Sequence, residues 1–269
     1  MWSSLLVGAA HAAACCGATG AIPAQLDACD HVLVGADVTG EVAVARWTSE
    51  GEISAASPAE QALTASVIAG VRWAPTGQLL VAMPLRLDHR SAGTLDEVAA
   101  GPGDLRAQAR WTIPVTVVGW PLPTLIAGVR APTGTSWAEA ENPLLSDVTG
   151  EPGTSLQLGV AWTGSRGEIP WTIEADGEIP FGKAVPRLAV TAGIGRFFGT
   201  DWTGFVVLSE THGFGDAPSD RTSLGLRLVR GEQARWRAWV GAASDLPIPM
   251  LGRDNPVATT VSFGAAWVH

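Results

Sequence analysis

The chain has 269 residues and 27.8 kDa, with 46% apolar and 16% charged residues, a net charge of −9, 12 tryptophans and no tyrosine. So small a charged fraction excludes a disordered chain and a coiled coil, and the acidic balance argues against nucleic acid as a partner. No apolar run reaches the roughly 18 residues of a membrane helix, which leaves a water-soluble fold or a closed β-barrel.

In chain order, residues 1–14 carry an apolar middle (Leu5, Leu6, Val7) and end on Ala12-Ala13-Ala14, the pattern of a short secretory signal. Residues 15–30 read as an N-terminal periplasmic segment. Export would permit a disulfide from Cys29 to Cys15 or Cys16, with one thiol left over. From 31 to 269 the dominant period is two, the strand period. Leu63, Ala65, Val67, Ala69, Val71 and Trp73 share one face of 63–73, with Ile68 as an apolar exception on the other. Leu79, Val81, Met83, Leu85 and Leu87 share a face of 79–88. In 104–113, Leu105, Ala107, Ala109, Trp111 and Ile113 oppose Asp104, Arg106, Gln108, Arg110 and Thr112. The same split recurs over 155–163, 171–176 and 259–269, and less cleanly near 31–39, 124–131, 187–195, 204–212, 222–230 and 234–242. That predicts an all-β chain of about twelve antiparallel strands, most near the roughly nine to eleven residues that cross a bilayer at a tilt.

Short and long connections alternate. The links at 74–78, 164–167, 198–202 and 230–233 are short, while 40–62, 89–103, 132–154, 177–186, 213–221 and 243–258 are long. Transmembrane barrels do this because one set of turns is tight and the other carries the outer loops. Only 114–123, Pro-rich and of medium length, departs from the rule.

The two parities differ in chemistry. Trp73, Trp111, Trp162, Trp171 and Trp267 lie on the apolar parity near strand ends, where an indole can bury its ring and keep its N–H wet, as in a membrane girdle. The polar parity collects Arg72, Arg86, Asp88, Asp104, Arg106, Arg110, Arg130, Glu174, Asp176, Arg187, Arg227, Arg235 and Arg237. These are the expected lumen-lining residues, either paired across the bore or left free to favour anions.

With the last strand read, a family resemblance emerges. Gly103-Asp104-Leu105-Arg106 resembles the "GDLR" strand start, and Val129-Arg130-Ala131-Pro132-Thr133-Gly134 is similar to the "LKLPTG" strand end, of outer-membrane transporters named after the meta-pathway of phenol degradation. Phe263, Ala265 and Trp267 resemble the alternating C-terminal signal read by the barrel-assembly machinery, although this chain ends in His269. The resemblance implies a Gram-negative outer-membrane barrel with a transport role.

Catalytic and metal motifs are absent from the sequence. Ser209, Glu210, Thr211 and His212 form the one nucleophile-like cluster, but on a strand Ser209 and His212 point to opposite faces. There is no H-E-x-x-H, no second Cys pair and no P-loop. Asp147, Asp201, Asp216, Asp220 and Asp254 are loop acids of the solvated kind. The sequence therefore predicts a non-enzymatic, cofactor-free barrel in the bacterial outer membrane that passes small molecules through a charged, arginine-rich lumen. Its alternatives are a non-transporting structural or surface-binding barrel, and a soluble exported β-sandwich.

Overall fold

The computed structural model describes residues 26, 30–47, 52–55, 59–115, 120–136, 138–182, 185–199, 202–214, 221–230, 235–246 and 256–269. Residues 1–14 and the three cysteines lie outside that set.

Among the described residues, fourteen strands form one antiparallel sheet: β1 (Val32–Trp47), β2 (Ile53–Ala55), β3 (Ala59–Ala74), β4 (Gly77–Ala92), β5 (Leu95–Pro102), β6 (Leu105–Thr112), β7 (Leu122–Ala131), β8 (Ser155–Arg166), β9 (Ile169–Pro180), β10 (Arg187–Phe198), β11 (Trp202–Gly213), β12 (Arg221–Arg230), β13 (Trp236–Asp245) and β14 (Pro256–Val268). Each pairs with its neighbour, and β14 returns to pair with β1 from Leu33↔Val268 to Arg46↔Pro256, which closes the sheet on itself. The three-residue β2 folds back on the top of β1. β5 and β6 act as one interrupted stave, since both pair with β4. The result is a closed barrel of twelve staves.

Closure without a second sheet decides what each parity meets. The outward side chains are apolar and exposed: Val67 is 61% exposed, Leu226 66% and Phe263 57%. The inward ones are buried and mostly polar, including Asp88, Gln108, Arg110, Arg130, Thr172 and Glu174. A sandwich would bury the first set and expose the second, so the soluble alternative fails. Ile68, the apolar exception of its strand, points inward and is fully buried.

The strands run past the expected ends. The link expected at 89–103 is largely a hairpin: β4 and β5 continue to a two-residue turn where Gly93 takes φ +60°. Alanines blur the period here (Ala92, Ala99, Ala100), which hid the strands. Likewise β1 and β3 fill much of 40–62, and β9 reaches Pro180. Apart from the tight β4–β5 turn, the short turns and both strand ends of the seam, Val32 and Val268, share one end of the barrel, the turn end; the longer connections share the other, the loop end.

The break in the fourth stave has a local cause. Leu85 pairs with Pro102 and Ala82 with Arg106, so residues 103–105 oppose only Met83 and Pro84. Pro84 has no N–H for the ladder, and proline within a sheet belongs at a bulge or an edge. The Gly103 N–H donates to the Pro84 carbonyl at 2.8 Å. The extra residue flips the parity: Glu97, Ala99 and Gly101 face inward above it, Arg106, Gln108 and Arg110 below it.

Candidate functional site: the lumen

Inward side chains divide the bore into two zones. Near the turn end, on the wall from β11 round to β4, Leu33, Ile68, Leu80, Phe205, Val207, Val229, Trp239, Ala266 and Val268 form a buried apolar cluster. Leu26, from the segment before β1, is buried among them. Its N–H donates to Gln78 Oε1 (2.8 Å) and its carbonyl accepts from Arg72 Nη2 (3.0 Å). Arg72 also donates to the Asp30 carbonyl (2.9 Å), and Asp30 pairs with Arg237. Leu26 and Asp30 are thus fastened inside the bore by main-chain as well as side-chain bonds.

On the facing wall, and toward the loop end, the lumen is ionic. Arg110 and Glu174, 2% and 4% exposed, pair at 2.7 Å. Burial at that level demands such pairing, because a lone charge there would cost several kcal/mol. Arg86 holds Asp88 at 2.7 Å. Arg221 bridges Asp245 (2.8 Å) and Glu41 (3.3 Å). Arg187 pairs with Glu151. Asp176 meets an amide instead, accepting from Gln157 Nε2 at 2.8 Å. Arg227 lies within electrostatic reach of Asp37.

At the bulge the two motifs that carried the family resemblance meet. Arg130 donates to Asp104 Oδ2 (2.7 Å) and Glu178 Oε1 (2.6 Å), and faces Glu151 at 3.2 Å. Asp104 also accepts from the backbone N–H of Gly134 (3.2 Å) and Glu151 (2.9 Å). Thr133 Oγ1 accepts from Leu105 N–H (2.9 Å) and donates to the Gly103 carbonyl (2.6 Å). So Gly103-Asp104-Leu105 and Arg130 to Gly134 build one knot that ties the bulge to the long loop after β7. That loop is itself ordered. Thr149 Oγ1 donates to the Pro102 carbonyl (2.7 Å), and Arg90 Nη1 to the Leu144 carbonyl (3.0 Å). At its tip Asp147 accepts the Glu141 N–H (2.7 Å), and that bond holds its carboxyl below the ordinary 3.8. The Ser136 backbone and hydroxyl likewise lower Glu139.

One motif residue stands outside the knot. Arg106 is exposed to the lumen, and among the described residues it has no hydrogen bond or ion pair. It borders three lumenal cavities of about 600, 410 and 220 Å³.

Arg235 is placed differently from the other arginines. It precedes β13 at the turn end, exposed, with its carbonyl accepting from Val268 N–H. The strand begins only at Trp236, so the parity that grouped it with Arg237 does not extend to it. His212 and Glu210 face outward near the loop end, and Ser209 and Thr211 inward, which keeps Ser209 and His212 apart. His269 stacks on Trp267 with ring centroids 5.6 Å apart.

Outside, Trp73, Trp111, Trp162, Trp171 and Trp267 all lie at the turn end, joined there by Trp202 and Trp236, which parity also places outward but which sit at less clean strand starts. Arg230 covers the Trp202 ring at 5.4 Å. An apolar concavity of about 740 Å³ on the outer wall, between Ile194 and Val261, faces away from the lumen.

No family model matches the chain, and no curated protein matches it. Solved structures do. The COG4313 outer membrane channel from Pseudomonas putida F1 aligns with a TM-score of 0.66 at 14% identity, over 94% of this chain and 98% of that one. The β-domain of the Bordetella autotransporter BrkA aligns at 0.56 and 11%, over 89% and 100%. The translocator domain of autotransporter NalP from Neisseria meningitidis aligns at 0.53 and 10%, over 88% of each chain. The fold is that of bacterial outer-membrane β-barrels.

Proposed function

We propose that this chain is a bacterial outer-membrane channel that admits small molecules through a charged, arginine-rich lumen, without enzymatic activity. The observation that carries the reading is the inverted barrel: apolar side chains cover the outside, while the inside holds ion pairs around polar cavities. Such a surface is stable only with hydrocarbon around it. In that setting the turn end is periplasmic, the loop end is extracellular, and the tryptophans at the turn end form an interfacial girdle on one side of the membrane. The knot formed by the two resembling motifs supports grouping the chain with the transporters named after phenol degradation. Residues 1–14 act as its export signal, and the β14 strand is the segment the assembly machinery reads.

The test is reconstitution. Refolded protein in planar bilayers gives discrete conductance steps, and proteoliposomes swell in small-solute gradients. A second reading, a non-transporting barrel, is favoured by one observation, the buried apolar cluster that holds Leu26 inside the bore. Silence in both assays from protein that migrates as a heat-modifiable barrel would select it.

A further inference from the structure

Arg106 is singled out by what it lacks. The other described arginines of the inward parity meet a carboxylate, a carbonyl or a neighbouring charge: Arg86 with Asp88, Arg110 with Glu174, Arg130 with Asp104, Arg187 with Glu151, Arg221 with Asp245 and Arg237 with Asp30. Arg106 meets none. Glu178, which lies within electrostatic reach of it, is already engaged by Arg130 and Ser155.

Its position magnifies that difference. β6 and β11 stand five staves apart around a ring of twelve, almost opposite one another. Yet Arg106 lines the same cavity as Ser209 and Thr211 of β11, and borders the two other chambers as well. Its guanidinium therefore projects across the bore at the junction of the three cavities. A solute passing between chambers passes this cation. The largest chamber adds the hydroxyls of Ser209 and Thr211, which can donate to an anion, and an apolar wall of Val207 and Trp239; of its acids, Glu41 and Asp245 are held by Arg221, and Asp37 by the Thr39 hydroxyl and the charge of Arg227.

We infer that Arg106 is the solute-reading residue of the lumen, and that it takes the carboxylate of an organic monoanion whose apolar body rests against Val207 and Trp239. The planar guanidinium offers a carboxylate two parallel N–H donors. The inference rests on the channel reading for its biological sense, but binding is measurable without transport.

The experiment pairs two readouts on the full-length refolded chain, using wild type, R106Q and R106K. Each is first shown to migrate as a heat-modifiable barrel. Equilibrium dialysis with radiolabelled benzoate, against a detergent-only blank, measures binding. Reversal potentials in a KCl gradient measure anion preference. The expected result is saturable benzoate binding at one site per barrel, weakened about tenfold or more in R106Q and retained within a few-fold in R106K. The reversal potential shifts toward cations in R106Q alone. Benzoate binding that is absent in wild type, or equal in wild type and R106Q, overturns the inference, as does an unchanged reversal potential. Silent bilayers with binding that depends on Arg106 would instead overturn the channel reading and leave the site standing.

Discussion

The apolar floor at the turn end and the ionic knot at the bulge are built from the same inward parity, yet they hold the barrel by opposite means. In the floor, Ile68 and Leu80 are excluded from water and, with Trp239 at the chamber wall, fit by shape. In the knot, Arg130 and Asp104 are almost as deeply placed and Glu178 is half-buried, and the three satisfy one another by charge and hydrogen bonds. The floor loses stability in proportion to the atoms removed. The knot loses it when a partner goes and the remaining charges stay behind. Each region also contains a glycine that its chemistry requires. A Cβ at Gly264 would lie 2.3 Å from the Trp239 ring, and one at Gly150 would lie 2.3 Å from Asp104 Oδ1.

The largest expected effect comes from the knot. R130M leaves Asp104 and Glu178 without their cation and should cost about 3–5 kcal/mol, read as a lower urea midpoint for loss of the folded gel band. D104A plus R130M together should cost less than the sum of the singles, because the pair is removed whole. In the floor, L80A should cost roughly 3 kcal/mol with no such coupling to Arg130. Equal coupling would show that the two zones are one. G264A crowds Trp239 and should cost about 2 kcal/mol, relieved in the double variant with W239F, checked by the same titration. The smallest effect is that of pH on the outer loop. Asp147 has its carboxyl held below 3.8, so its charged form stabilises the loop tip. That support is complete above the ordinary value and fades as pH falls through the lowered one. Limited proteolysis near Asp147 should therefore be slow at neutral pH and quicken in strong acid, and D147N should be cut readily at both.

Much of this is legible in the amino-acid sequence. Period two and the chemical contrast between parities defined twelve staves and told inside from outside, because an outward Val67 or Phe263 and an inward Arg110 cannot exchange places in a closed barrel. The hairpin of β4 and β5 was hidden because alanine suits either face. The bulge at Gly103 was hidden because a one-residue slip preserves alternation on both sides of it, although Pro84 at mid-strand was the available signal. Pairing partners were out of reach for a different reason. Arg130 meets Glu178 across strands distant in sequence, and alternation says which face a side chain takes but nothing about which neighbour it finds. The same holds for Arg106, which has no hydrogen bond or ion pair among the described residues: that depends on what the other staves present to it.

The seam carries a consequence of its own. Leu33 and Val268 come from the first and last strands of the ring, and until they meet, two strands present bare rows of N–H and carbonyl groups. A polypeptide made from its N-terminus cannot seal this ring until β14 has been made. Every shorter product is an open ribbon with two sticky margins. Trimming 259–269 should accordingly abolish the closed species altogether rather than yield a barrel one stave smaller.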